Sequence, residues 1–208
     1  RKDPILRDLT KPEQTTIEEI IAKARVQVAD FTLLFLRKNM RDEIKIHLVP
    51  SAGNMEMIWV KQLGSGVRGG ILANGFYLGK HEVTQAQYQL VRTNISANRK
   101  NPSFHSGNPE FPVEMVSYPD AKAFLARLNL LEQKAGRLPK GWEYDLPTEA
   151  EWKYACNAGT KTLFWWGNKF DPKNANLKES GHSGPLKVGR YPPNPWGFHD
   201  MFGNVFEF

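Results

Sequence analysis

The stretch Asp200-Met201-Phe202-Gly203-Asn204-Val205-Phe206-Glu207 sets two carboxylates seven residues apart, with a glycine and an asparagine between them. Hard cations such as calcium are held by oxygen, mixed from carboxylates and main-chain carbonyls. This stretch can supply that mixture: side-chain oxygens from Asp200 and Glu207, and carbonyls from Gly203 and Val205. The same residues also read as turn chemistry, in which Asp200 and Glu207 cap turns and Asn204 bonds its own backbone. Sulfur and imidazole offer less. Cys156 is the single cysteine, which excludes an intrachain disulfide and any multi-cysteine metal site within this chain. It reads as a small buried hydrophobe. The histidines, at positions 47, 81, 105, 182 and 199, are dispersed, and no two have the i, i+4 spacing of a helical metal site.

These residues need elements to position them. Pro147 restrains Leu146 toward an extended backbone. Thr148 and Glu151 then have capping-box spacing, and Trp152 and Ala155 follow on one helical face. Thr84-x-x-Gln87 predicts a second helix, running to about Val91. Ser117-x-x-Asp120 predicts a third through Ala121, Phe124, Leu125, Leu128 and Leu131. Met55 to Val60 and Phe76 to Leu78 read as short strands. Ile44 to Val49 alternates apolar and polar as a strand does, and Pro50 to Asn54 reads as a turn. Gly64, Gly66, Gly69 and Gly70 lack the Gly-Lys-Ser/Thr of a phosphate loop, so they read as turns between strands. After Thr160, Gly, Pro, Asn and Trp dominate with almost no regular pattern. Such a segment must be ordered by its own aromatics or by bound ions.

At 208 residues, one domain with an N-terminal appendage is the natural count. Residues 1–50 read as a linker and a helix: a charged, proline-containing start, then an apolar face from Ile17 to Phe35. The net charge of +6 comes from basic residues scattered among acidic ones. No basic block is interleaved with aromatics as a single-strand binder requires, so no nucleic-acid partner is expected. The longest apolar run, Phe31 to Leu36, is far short of the ~20 residues of a membrane span. The chain starts at Arg1 and stops inside a motif, and is read as a fragment open at both ends.

The string from Leu146 to Cys156 closely resembles the helix signature of the formylglycine-generating enzyme, or sulfatase-modifying factor, family. Other motifs follow the family's order: Gly75 to Tyr88, Asn101-Pro102-Ser103-Phe104, Phe111 to Tyr118, Ala158-Gly159-Thr160, Phe164 to Gly167, Asn174 to Leu177, Tyr191 to Gly197 and Asp200 to Phe208. The resemblance covers roughly Met55 to Phe208, and the domain is placed at 51–208. It implies an α+β, C-type-lectin-like fold with little regular secondary structure, incomplete at its C-terminus. It also implies an activity for the intact protein: oxidation of a cysteine in a sulfatase's Cys-x-Pro-x-Arg motif to formylglycine by oxygen. A sulfatase or other protein substrate would be the partner. A noncatalytic binding or accessory module of the same fold is the alternative.

In the family, a cysteine pair beyond the Gly-Asn-x-x-Glu motif binds reduced copper, in keeping with the preference of Cu(I) for thiolate. Cys156 matches neither ligand, so no catalytic residue is carried over, and copper is implied only if a C-terminal part supplies the pair. The resemblance places a structural calcium ion on Asp200, Gly203, Val205 and Glu207, where the family often has Asn at the first position. A second family calcium site begins at the residues matching Asn176 and Leu177, but here the following loop, Gly181-His182-Ser183-Gly184-Pro185, has no carboxylate. The chain also departs from the family at Asp145, usually Arg, and at Phe206 and Phe208, usually Trp. His81 and His105 fall in or beside family motifs, at positions read as packing or loop hydrogen bonding.

Overall fold

The computed structural model describes residues 46–61, 75–92 and 101–208. The helix expected before residue 40 and the glycine-rich stretch at 64–70 lie outside these residues. Three short strands, β1 (Ile46–Val49), β2 (Met55–Val60) and β3 (Phe76–Gly79), form an antiparallel sheet in the order β1-β2-β3. The sheet therefore begins with residues 46–49, within the segment that the sequence reading assigns to the N-terminal appendage. Val49 lies opposite Met55, and Ile58 opposite Leu78.

Side chains on a strand alternate between faces, and here both faces are covered. Val49, Met55 and Met57 pack with Ala52, Tyr88, Val91, Phe124 and Leu128. Ile58 and Val60, with Phe76 and Leu78, pack on Ala155, Cys156, Phe198 and Met201. The sheet is thus a partition between two apolar clusters, and β2 carries residues of both.

Among the described residues, three α-helices join the sheet in an α+β fold: α1 (Gln85–Val91), α2 (Tyr118–Lys134) and α3 (Glu149–Asn157). The capping boxes expected at Thr84/Gln87 and Thr148/Glu151 both form, and the Ser117 side chain accepts from Asp120 N. α1 meets α2 through stacked Tyr88 and Phe124 rings, 5.4 Å apart. α2 carries a fully buried carboxylate, Glu132. Burial alone would raise its pKa, but hydrogen bonds from Arg137 and Ser51 hold it below the usual range. Both oxygens are used: Oε2 accepts from Arg137 Nε at 2.8 Å, and Oε1 from Arg137 Nη2 at 2.8 Å and Ser51 N at 3.1 Å. This ties the end of α2 to the β1–β2 turn. Asp145, the reversed charge beside α3, bonds Lys122 Nζ at 2.5 Å and Leu146 N at 2.7 Å, so its charge is matched locally.

α3 ends against a loop rather than another helix. Its last carbonyls have no intrahelical partner, and the buried Asn194 side chain reaches two of them, Ala155 O at 2.8 Å and Cys156 O at 3.2 Å. Asn194 Oδ1 accepts from Trp196 N and Phe198 N, at 3.0 and 3.1 Å. Asn194→Ala leaves two carbonyls and two N–H groups short of partners in a buried place. The expected loss is on the order of 3 kcal/mol, since each stranded group costs roughly 1–3. Urea unfolding measures it, and a loss below about 0.5 kcal/mol, the range of an ordinary surface change, would show that water replaces the amide.

Candidate functional site

Beyond α3 the chain is mostly loop, yet its polar side chains are placed by one another. Asn204 is central. Its Oδ1 accepts from Leu186 N at 2.8 Å and from Asn176 Nδ2 at 3.1 Å. Its Nδ2 donates to Glu82 Oε1 at 3.1 Å and to Leu186 O at 3.3 Å. Asn204 N donates to Asn176 O at 2.9 Å, within a parallel bridge that pairs Asn176 with Gly203. Asp200, Gly203 and Asn204 all have positive φ, at 56°, 85° and 60°, a region that Gly, Asn and Asp enter more readily than other residues. At Gly203 a Cβ would sit 2.3 Å from Asn176 O, so that close approach requires glycine.

The structure thus brings the two sequence-predicted groups together. Asn176 and Leu177 lie against the turn that carries Gly203 and leads on to Val205 and Glu207. Asn176 Nδ2 also donates to Gly184 O at 3.0 Å, and Leu177 O accepts from Ser180 N at 2.9 Å. Asp200 and Glu207 are anchored separately. Asp200 is buried, and its Oδ2 accepts from Gly189 N at 2.6 Å. Glu207 is exposed as a residue, but its carboxyl group is packed against α3, with Oε2 accepting from Trp152 Nε1 at 3.0 Å. Among the described residues no three His, Cys, Asp or Glu side chains form a ready metal cluster.

A third carboxyl joins them. Glu82 bonds Asn204 through Oε1, while its buried Oε2 has no hydrogen-bond partner. Burial pushes the Glu82 carboxyl up to about 9, with the charges of Asp200 and Glu207 adding. Burial also raises Asp200, against the Gly189 N–H. It raises Glu207 too, against the Trp152 bond, and Asp200 adds to the effect. Burial and like charge both disfavour the ionised forms. The charges of Asp200 and Glu207 both act on Glu82, which sets three carboxyls within electrostatic reach in this region. Nothing in the local sequence marks Glu82 for it, because its partner Asn204 lies 122 residues away.

Cys156 sits in the same region but takes no part in such chemistry. It is buried, and its Sγ lies 3.6 Å from Met201 O. Burial, with the charge of Glu207 adding, pushes the thiol up to about 12. The thiolate is the nucleophile and the metal ligand, so this sulfur stays protonated and inert. Beside the loop runs an open groove of about 890 Å³, lined by Trp152, Leu177, Phe202, Phe206 and Glu207 among others.

The geometry can be set against known proteins. The family model "Sulfatase-modifying factor enzyme 1-like domain" matches residues 37–208. The chain is 37% identical over 111 residues to a Bos taurus protein named "Inactive C-alpha-formylglycine-generating enzyme 2", a match covering 47% of this chain and 32% of that protein. It is 36% identical over 109 residues to the "Formylglycine-generating enzyme" of Mycobacterium tuberculosis, covering 46% of this chain and 32% of that protein. The matched stretch spans about a third of either relative's length. PvdO from Pseudomonas aeruginosa shares the fold, with a TM-score of 0.57 at 21% identity over 80% of this chain and 74% of that one. With the family model matching most of its length, the chain belongs to the sulfatase-modifying factor enzyme 1-like family.

Proposed function

We propose that this chain is the scaffold of an oxidoreductase that converts a cysteine of a sulfatase to formylglycine. The observation that carries the reading is the family match over residues 37–208, together with relatives named formylglycine-generating enzymes. The fold would be the C-type-lectin-like one implied by the sequence motifs. Copper does not fit the residues present: the one cysteine is buried, protonated and bonded to a carbonyl. No chemical step is therefore assigned to Cys156. Copper enters this reading only if the polypeptide continues past Phe208 into a cysteine pair.

A second reading is favoured by one finding: the relative named inactive is as similar to this chain as the one named as the enzyme. On that reading the same fold serves as a noncatalytic binding or accessory module. A Cys-x-Pro-x-Arg peptide incubated with copper and oxygen separates the two. The 208-residue chain is expected to leave its cysteine unchanged by mass spectrometry, and Cys156→Ser is expected to behave identically. A longer natural polypeptide carrying the cysteine pair is expected to convert it. Failure of that longer protein, loaded with copper, favours the accessory module. Conversion by the 208-residue chain that Cys156→Ser abolishes overturns the assignment of that thiol.

The loop from Asp200 to Glu207 is proposed to hold calcium. Its donors are all oxygen, as the ion prefers: the Asp200 and Glu207 carboxylates and the Gly203 and Val205 carbonyls. The supporting observation is the orphaned, buried Glu82 Oε2 beside two further carboxyls whose pKa values are raised. The proposal puts one ion on this loop; at Asn176 and Leu177 the chain offers an amide and carbonyls but no carboxylate at 181–185. Calcium that binds only the folded state stabilises it by roughly 2.7 kcal/mol at a hundredfold excess over its dissociation constant. Differential scanning calorimetry in calcium and in chelator should show the corresponding rise in melting temperature. Glu207→Gln keeps the shape but removes the charge, and should abolish that rise. Equal melting temperatures in calcium and chelator would leave the loop as a packed turn only.

A further inference from the structure

We propose that His81 and His199 form a site for a divalent transition-metal ion, with Zn²⁺ as the test ion, bound through the Nε2 atoms of both rings. The two histidines line one cleft of about 420 Å³, together with Gln87, Glu110, Lys187 and others. They are held as neighbours by the backbone, where His199 N donates to Lys80 O at 2.9 Å. Each ring is fixed in the same way. His81 Nδ1 lies 2.8 Å from Glu82 O, and His199 Nδ1 lies 2.8 Å from Tyr191 O. A carbonyl carries no proton, so each Nδ1 must donate. In the neutral ring that leaves the lone pair on Nε2. Metal-binding histidines are oriented by this arrangement, with the second nitrogen donating to a backbone carbonyl or carboxylate.

The charges around the cleft are of both signs. Two lysines line the cleft, and each is already paired: Lys80 with Glu56 at 2.5 Å and Lys187 with Glu110 at 2.6 Å. Asp200, next in sequence to His199, places an acidic group within electrostatic reach of both rings. Two neutral imidazole nitrogens select zinc, copper or nickel over calcium or magnesium, which take oxygen. The remaining coordination positions would be open to water, and Glu110 lines the same cleft. This site differs in donor chemistry from the calcium loop, and its two nitrogen ligands are not among that loop's donors.

Isothermal titration of the 208-residue chain with Zn²⁺, in buffer holding excess calcium, is expected to show one equivalent bound. His81→Gln and His199→Gln should each weaken that binding by at least about tenfold, while His182→Gln leaves it unchanged. Because either ring change could disturb the loop, a second readout uses the unaltered chain. Long-range ¹H–¹⁵N spectra of the histidine rings should show Zn²⁺ shifting the Nε2 resonances of His81 and His199, with their Nδ1–H retained. Absence of stoichiometric binding overturns the proposal. So does binding that survives in the His81→Gln/His199→Gln double variant, or ring shifts confined to His47, His105 or His182.

Discussion

The side-chain amide of Asn204 satisfies four hydrogen bonds at once, and the arrangement of the C-terminal loops depends on them. It joins Leu186, Asn176 and Glu82, three segments that share no strand or helix. Asn194 does the same for α3 and the Trp196–Phe198 turn. A polypeptide without a sheet ladder must still pair its buried N–H and C=O groups. Here asparagines supply the missing donors and acceptors, each offering an acceptor and two donors on one rigid plane. Aromatic rings fill the space between. Phe164, Trp166 and Phe202 contact one another with centroids 4.7 to 5.4 Å apart.

That economy has an electrostatic cost. Glu82 is drawn into the interior by the Asn204 amide, and one of its oxygens receives nothing. Asp200 and Glu207 lie within electrostatic range and add to the cost of ionising it. The contrast with Glu132 is instructive. That carboxylate is more deeply withdrawn from water but meets a guanidinium at both oxygens, and its pKa falls rather than rises. One buried acid is part of the scaffold's framework; the other keeps a buried oxygen that no protein group among the described residues bonds.

The helices were legible in the sequence because their signals are local. Thr84 with Gln87, Ser117 with Asp120 and Thr148 with Glu151 each act across three residues, and all three caps form. The strands at 55–60 and 76–79 were readable from their apolar runs and bounding turns. The region of the candidate site was legible through its family motif, which marks Asp200, Gly203, Val205 and Glu207. What local pattern does not encode is the company these residues keep. Glu82 precedes a helix cap and gives no sign that it meets Asn204. The imidazoles of His81 and His199 are far apart in sequence, so helical spacing could not pair them. Their proximity follows from one backbone hydrogen bond between Lys80 and His199.

The two-faced sheet has a consequence for how its strands find one another. In a sheet with one wet face, a slip of one residue exposes every apolar side chain, and that penalty enforces the register. β2 does not have this protection, since Met55 and Met57 serve one cluster and Ile58 and Val60 the other. A slipped hairpin would still bury oily side chains. The alignment of β1 with β2 must come from the connection instead, where Gly53 N donates to Pro50 O at 3.0 Å and Gly53 and Asn54 both adopt left-handed backbone, at φ 66° and 57°. Ser51, in the same turn, is clamped by Glu132 and Arg137. In this hairpin hydrophobicity decides that the strands are buried, and a five-residue corner decides which residues face each other.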